Sequence, residues 1–229
     1  MACAKETSFK FEEVAMEKKE PVNISVIYPK LDDMSEWSVK INKGIESKIA
    51  EQIAFFQEDT DSLTMDDAIA QFESRFTSFK NDFESDAAPW EVNINSEVVF
   101  QSVNVITISI DSYTFTGGAH GNSVITLLNF DPKTGELYSQ EQMLSAAKDL
   151  TDLVKRHFKE ESASKNNGNT ADYFFGDDFK LPENIGFNEE GVIFLYNNYE
   201  LSSFADGILE FTIPYSEISK FLKINHWPQ

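Results

Sequence analysis

The sequence is poor in cysteine and in positive charge. Only one of the 229 residues is cysteine, Cys3, so no disulfide can form within the chain. Lys and Arg number 19 against 39 Asp and Glu, which gives a formal net charge of −20. Nucleic-acid binding needs a basic face that displaces counterions from phosphates, so the sequence predicts no nucleic-acid partner. The same charge disfavours adsorption to an anionic membrane surface.

Long apolar runs are also lacking, and none approaches the ~20 residues of a membrane-spanning helix. The chain instead has an apolar content of 41%, including 20 Phe residues, spread among polar positions. This is enough to form a core without a disulfide or a structural metal ion. The length fits one large domain or two small ones.

The spacing of the apolar residues predicts an α+β fold. A stripe from Trp37 to Phe56 and another from Ala68 to Phe83 recur every three or four positions, as in two long helices. Residues 103–115 are rich in Val, Ile, Thr and Tyr and predict a strand. Its isoleucines alternate with Thr107, Ser109 and Asp111, which predicts one dry face and one wet face. We therefore expect antiparallel sheets with helices packed on one face.

A second group of elements follows. Ser139 and Gln142 form a capping box at the start of a helix predicted to run through Phe158. A hairpin over residues 185–196, a strand over 207–213 and a short helix from Tyr215 complete the chain. We predict two sequential α+β halves, spanning residues 4–121 and 122–229.

No catalytic signature is present. The sequence contains no GxSxG, GK[ST] or HExxH motif. The three histidines, His120, His157 and His226, share no metal-ligand spacing. We therefore predict no catalytic residue, no metal and no cofactor.

One glycine-rich segment, Thr116–Asn122, lies between two predicted strands. It contains Gly117, Gly118, Ala119 and His120, and paired glycines permit positive φ or a close backbone approach. The first hypothesis is a structural turn in which the His120 ring hydrogen-bonds the backbone. The alternative is that His120 contacts a ligand.

The acidity is concentrated in two segments. Residues 51–91 hold 11 acids against two basic residues, and residues 172–210 hold nine acids against one. Such segments either keep a protein soluble or create a field that steers a basic partner.

Two stretches resemble known families. Residues 113–122, Tyr-Thr-Phe-Thr-Gly-Gly-Ala-His-Gly-Asn, and residues 190–207, which include Asn-Asn-Tyr-Glu, resemble the DUF3298 domain and the PdaC-type (DUF4163) domain that commonly precedes it. The resemblance spans about Val22 to Leu222, and this chain resembles the stand-alone type. Tyr199 and Glu200 match motif positions, so they join His120 as candidate ligand contacts.

The resemblance implies a role outside the bacterial cytoplasm. Some family members sense lysozyme as the outer part of anti-sigma factors, and others precede a peptidoglycan deacetylase domain. It therefore implies a non-catalytic cell-envelope binding module whose partner is a basic, lysozyme-like hydrolase or a cell-wall glycan. The alternative is an enzyme or accessory domain that acts on peptidoglycan. The resemblance identifies no catalytic residue.

The first residues, Met1-Ala2-Cys3, resemble the end of a bacterial lipoprotein signal. We therefore expect Cys3 to be the site of lipid attachment and the only contact with a membrane. The expected location is then the periplasm or the cell surface. The alternative is an incidental cysteine in a cytosolic protein.

Overall fold

Two β-sheets organise the residues that the computed structural model describes, which are 9–54, 63–83, 88–165, 173–201 and 207–224. The first sheet has the strand order β1-β2-β3-β4-β5, and the second has the order β6-β7-β8. The predicted α+β class with two sequential halves is confirmed. The strands are β1 Phe11–Lys18, β2 Asn23–Leu31, β3 Glu91–Gln101, β4 Ile106–Phe115, β5 Asn122–Phe130, β6 Asn184–Phe187, β7 Gly191–Tyr196 and β8 Leu209–Pro214. The helices are α1 Glu36–Ile53, α2 Met65–Phe83, α3 Gln140–Met143, α4 Lys148–Lys165 and α5 Tyr215–Ile218.

One strand pair in the first sheet is parallel. Strand β2 runs parallel to β3, whereas β1–β2, β3–β4 and β4–β5 are antiparallel. The expectation of a purely antiparallel sheet was therefore wrong for this pair. The reason is the connection, because α1 and α2 lie between β2 and β3 and return the chain to the same end of the sheet.

Helices α1 and α2 cover one face of the first sheet. Ile41, Ile45 and Ile49 of α1 are fully buried in the same core as Ile108 of β4. Each such side chain stabilises the fold by roughly 1.5–3 kcal/mol through burial. Helix α1 begins after Ser35, whose side chain accepts a hydrogen bond from the backbone nitrogen of Ser38 at 3.4 Å. The predicted stripes are thus core faces as far as Ile53 in α1 and Phe79 in α2. Phe83 was expected on the same stripe, but at the end of α2 it is 68% exposed, and Phe56 lies outside the described residues.

The helix predicted from Ser139 through Phe158 is broken in the structure. The capping box of Ser139 and Gln142 is present, but α3 ends at Met143. Leu144 is extended and forms an isolated β-bridge with Leu222 near the end of the described chain. The prediction of one continuous helix was wrong because a partner 78 residues away competes for the backbone at this point.

The face of β4 that was predicted to be exposed to solvent is buried at one end of the strand. Thr107 is fully buried, and its hydroxyl donates to Asn129 Oδ1 at 2.8 Å. Asn129 Nδ2 in turn donates to the carbonyl of Ile185 in β6 at 2.7 Å. Thr107 was expected to face water, but the second half of the chain covers it.

Asparagine side chains cover the outer edge of β5. Asn197 Oδ1 accepts from the backbone nitrogen of Ile125 at 2.9 Å, and its Nδ2 donates to the Ile125 carbonyl at 2.8 Å. Asn184 Oδ1 accepts from the backbone nitrogen of Leu127 at 3.0 Å. Since a bare sheet edge leaves backbone groups unpaired, these amides take the place of a sixth strand.

Strand β5 begins at Asn122 and belongs to the first sheet, so this sheet continues past the predicted domain boundary at residue 121. The position of that boundary stays a prediction. None of the described helices is both long and apolar enough to cross a bilayer.

We expect Asn197→Ala to lower the free energy of unfolding by about 1–3 kcal/mol, because it leaves two backbone groups of β5 without partners. Urea unfolding measures this difference. Asn95→Ala, at an exposed position of β3, is the control and should stay within about 0.5 kcal/mol of the wild type. An equal effect of the two substitutions would show that the β5 edge does not need Asn197.

Candidate functional site

The glycine-rich segment forms the connection between β4 and β5. Gly117 and Gly118 have φ of 91° and 99°, a region that residues with a Cβ rarely adopt. A Cβ on Gly121 would lie 2.4 Å from the ring of Tyr113, so this glycine leaves room for the tyrosine. The chain therefore reverses here through residues whose small size the geometry requires.

His120 lies on the outside of this turn. Its side chain is exposed, and Nδ1 lies 3.0 Å from the carbonyl oxygen of Gly121. A carbonyl only accepts, so Nδ1 carries the proton of this hydrogen bond. The contact orients the imidazole ring at the end of the hairpin.

A small cavity lies beside His120, on the face of the sheet that α1 covers. Its volume is about 170 Å³. We name it the hairpin cavity, and its lining consists of Gln52, Ser112, Thr114, Thr116, His120, Asn122 and Val124. Among these residues there is no carboxylate, lysine or arginine.

One wall of the hairpin cavity is held in place by hydrogen bonds. The Ser112 hydroxyl lies 3.0 Å from Gln52 Oε1 and 3.1 Å from the carbonyl oxygen of Val124, two acceptors that share its single proton. Gln52 Nε2 donates to Thr126 Oγ1 at 3.3 Å. Ser112 is only 3% exposed. The Gln52 amide is therefore held between side chains of β4 and β5. The sequence pattern did not single out Gln52, Ser112 or Thr114, because their proximity depends on α1 packing onto β4.

The second candidate segment lies next to the first one. Asn198 Nδ2 donates to the carbonyl of Ser123, three residues after His120, at 3.4 Å. The two stretches that carried the family resemblance, although about 75 residues apart in sequence, therefore meet at the start of β5.

Tyr199 and Glu200 have different environments in this second segment. Tyr199 has a positive φ of 66° and is 55% exposed. Glu200 points toward the backbone, where its carboxylate accepts from the nitrogens of Glu183 at 2.7 Å and Asn197 at 3.0 Å. Burial raises the pKa of Glu200, and these two hydrogen bonds partly oppose the rise. Tyr199 is therefore accessible to a ligand, whereas Glu200 holds the turn.

A second concave surface, the acidic groove, lies between the ends of β1 and β2 and the start of α1. Its volume is about 390 Å³. The lining residues are Glu12, Glu13, Val14, Lys30, Leu31, Asp32, Asp33, Met34, Val39, Asn42, Lys43 and Glu46. Five carboxylates thus face two lysines, and one of these, Lys30, is paired with Glu46 at 2.9 Å.

The last two points concern the predicted lipid-attachment residue and metal binding. Cys3, the expected lipid-attachment residue, lies outside the described residues. Within the described ranges, no three His, Cys, Asp or Glu side chains lie close enough together to hold a metal ion.

Comparison with known proteins gives two family matches along the chain. Residues 15–123 match the family model described as "Deacetylase PdaC", and residues 137–216 match the one described as "Protein of unknown function (DUF3298)". The two matches support the pairing of a PdaC-like domain with a DUF3298-like domain in this chain. No curated protein is significantly similar in sequence to it.

Two solved structures share the fold. A DUF3298 family protein from Pseudomonas aeruginosa PAO1 has a TM-score of 0.68 and 18% identity, over 95% of this chain and 96% of its own. A DUF3298 family member from Bacteroides fragilis NCTC 9343 has a TM-score of 0.66 and 18% identity, over 95% of both chains. At this identity the likeness concerns the fold of the PdaC–DUF3298 pair.

We expect Gly118→Ala to lower the free energy of unfolding by about 1–2 kcal/mol through backbone strain alone, since no atom lies within 4 Å of the added Cβ. Gly118→Asn is the matched control, because asparagine tolerates positive φ better than alanine does. Thermal or urea unfolding should rank the asparagine variant between the wild type and the alanine variant. An alanine variant as stable as the wild type would show that the turn does not need this φ.

The raised pKa of Glu200 predicts a pH dependence of stability. A carboxyl group whose pKa is higher in the folded state stabilises the fold while it is protonated, and this stabilisation is lost as the pH rises through the folded pKa. The free energy of unfolding of the wild type should therefore fall relative to that of Glu200→Ala as the pH rises above the usual value of 4.5. Urea unfolding of both proteins across this range measures the difference.

Glu217→Ala provides the opposite control for this experiment. Hydrogen bonds from His157 and Arg156 lower the pKa of Glu217, so the wild type should gain stability relative to this variant as the pH rises toward 4.5 and keep that gain unchanged above it. The same trend in both comparisons would contradict the assigned environment of Glu200.

Proposed function

We propose that this chain is a non-catalytic, extracytoplasmic binding module of the bacterial cell envelope, and that its partner is a basic protein such as a lysozyme-like hydrolase. The observation that carries the choice of partner is the acidic groove. The pairing of a PdaC-like domain with a DUF3298 domain supports the envelope role. The lipid anchor on Cys3, in the periplasm or at the cell surface, belongs to the same proposal.

The carboxylates of the acidic groove differ in how they are engaged. Asp33 accepts from the backbone nitrogen and the hydroxyl of Ser35, at 3.0 Å and 2.9 Å, and so helps begin α1. Glu13 and Asp32 are exposed, and both line the acidic groove. They are therefore the carboxylates that a lysine or arginine of a partner reaches most easily.

Apolar surface beside these charges supports a protein partner. Met34 is 89% exposed and Val39 is 46% exposed, and both line the acidic groove. Charges at the rim of an interface raise the association rate and fix orientation, while affinity comes from buried apolar contacts. A basic protein with an apolar patch fits both features. The net charge of −20 adds long-range attraction.

A role as an accessory or enzymatic domain on peptidoglycan has one support, the description "Deacetylase PdaC" of the family that residues 15–123 match. Detectable turnover of a peptidoglycan fragment by the purified chain would favour this alternative over a binding module.

We expect saturable binding of lysozyme that weakens as the salt concentration rises from about 50 mM to about 500 mM, since ions screen exposed charges beyond ~10 Å at 0.1 M. Biolayer interferometry measures the Kd. An unrelated protein of similar positive charge is the control for unspecific attraction. Equal binding of both proteins would overturn the proposal.

The double substitution Glu13→Gln, Asp32→Asn locates the interface. It should raise the Kd for lysozyme at least about threefold at low salt, because it removes rim charges from the acidic groove. Glu189→Gln, Glu190→Gln, in the exposed turn before β7, removes the same net charge elsewhere and should change the Kd less. If both double variants weaken binding equally, the acidic groove is not the binding site.

A further inference from the structure

The hairpin cavity combines hydroxyl, amide and imidazole groups in a strongly acidic chain without a charged carboxylate, lysine or arginine among its described lining residues. We propose that this cavity binds one neutral sugar residue of a cell-envelope glycan. The inference rests on the proposed location in the cell envelope, because that location supplies the sugar. It does not depend on the basic protein partner, because the hairpin cavity and the acidic groove share no lining residue.

The electrostatics of the cavity select the charge of the ligand. A bound cation would find no carboxylate in the lining, and a bound anion would find no lysine or arginine. Burying an ion without a partner is costly, whereas a neutral polar group needs only hydrogen bonds. A neutral ligand is therefore the best match.

The donors and acceptors of the cavity suit hydroxyl groups. The hydroxyls of Thr114 and Thr116 both donate and accept, the Asn122 amide does the same with separate atoms, and the His120 imidazole adds a further polar side chain. A sugar hydroxyl also donates and accepts, so each of these groups has a complementary partner on a pyranose ring. Val124 adds an apolar contact for sugar C–H groups or for the methyl of an acetamido group.

The cavity wall needs little ordering when a ligand enters. The Gln52 amide is already held by its hydrogen bonds with Ser112 and Thr126, and the His120 ring is oriented by the Gly121 carbonyl. Groups that are ordered before binding lose less conformational entropy, which favours binding.

The size of the cavity limits the ligand to about one sugar ring. Its volume is about 170 Å³. Pockets for drug-sized ligands begin at ~300 Å³, so this one is smaller. A few hydrogen bonds in a cavity of this size correspond to a millimolar Kd.

The experiment is an NMR titration of the full chain with N,N′-diacetylchitobiose, a neutral disaccharide, in about 500 mM salt. We expect saturable changes in the amide shifts of Ser112, Thr114 and Asn122 with a millimolar Kd. High salt screens the charges of the acidic groove, so loss of lysozyme binding under these conditions would leave the sugar result unchanged.

Two variants test the assignment of the site. Thr114→Val removes one hydroxyl and keeps a residue that suits a strand, and Gln52→Met removes the amide. Each should raise the Kd for the disaccharide at least about fivefold. Ser109→Ala, on the opposite face of β4, should leave the Kd unchanged. Unshifted spectra away from the cavity verify that each variant is folded.

Three results would overturn this proposal. The first is no saturable shift in the wild type, the second is an unchanged Kd in both cavity variants, and the third is a set of shifts that maps away from residues 112–124. A failure of lysozyme to bind would overturn the proposed protein partner and leave the sugar site standing.

Discussion

The outer edge of β5 is the constraint on which the arrangement of the chain depends. An edge strand presents unpaired backbone groups, and here Asn184 and Asn197 pair with them from the second half of the sequence. The backbone N–H of Tyr138 adds a hydrogen bond to this edge by donating to the Asn129 carbonyl at 2.8 Å. The two halves are therefore joined by directional hydrogen bonds, which fix which residues of one half lie opposite which residues of the other. Because Asn197 belongs to a turn that contains Tyr199 and Glu200, the same bonds bring that turn beside the β4–β5 hairpin.

Local patterns were enough to predict most elements, since they arise from interactions between near neighbours. The isoleucine stripe of α1 and the capping box of Ser139 are examples, and both occur as the sequence indicated. The failures are long-range. The end of α3 depends on the pairing of Leu144 with Leu222, and the burial of Thr107 depends on Asn129 and β6. No pattern within either segment contains that information.

Sequence patterns likewise identified only some of the residues in the candidate sites. Glycine spacing and the family resemblance directed attention to His120, and the structure places it in the lining of a cavity. The other members of that cavity come from α1, from the helix-facing side of β4, from the glycine-rich turn and from β5. Gln52 lies between the buried Ile49 and Ile53 of α1, so a polar residue beside an apolar stripe was its only signal. Glu200 shows the converse case, because a position that matched a family motif is engaged in holding its own turn.

The two proposed ligands use forces of different range, and this difference lets one small chain address both. Coulomb attraction acts over ~10 Å in physiological salt, so a net charge of −20 can steer a basic protein before any contact forms. Hydrogen bonds act only at contact and require groups of matched geometry. A neutral cavity such as the one beside His120 does not concentrate counterions, even though the chain as a whole is strongly acidic. The separation of charged and neutral concave surfaces is therefore what allows a sugar and a basic protein to bind without competing for the same side chains.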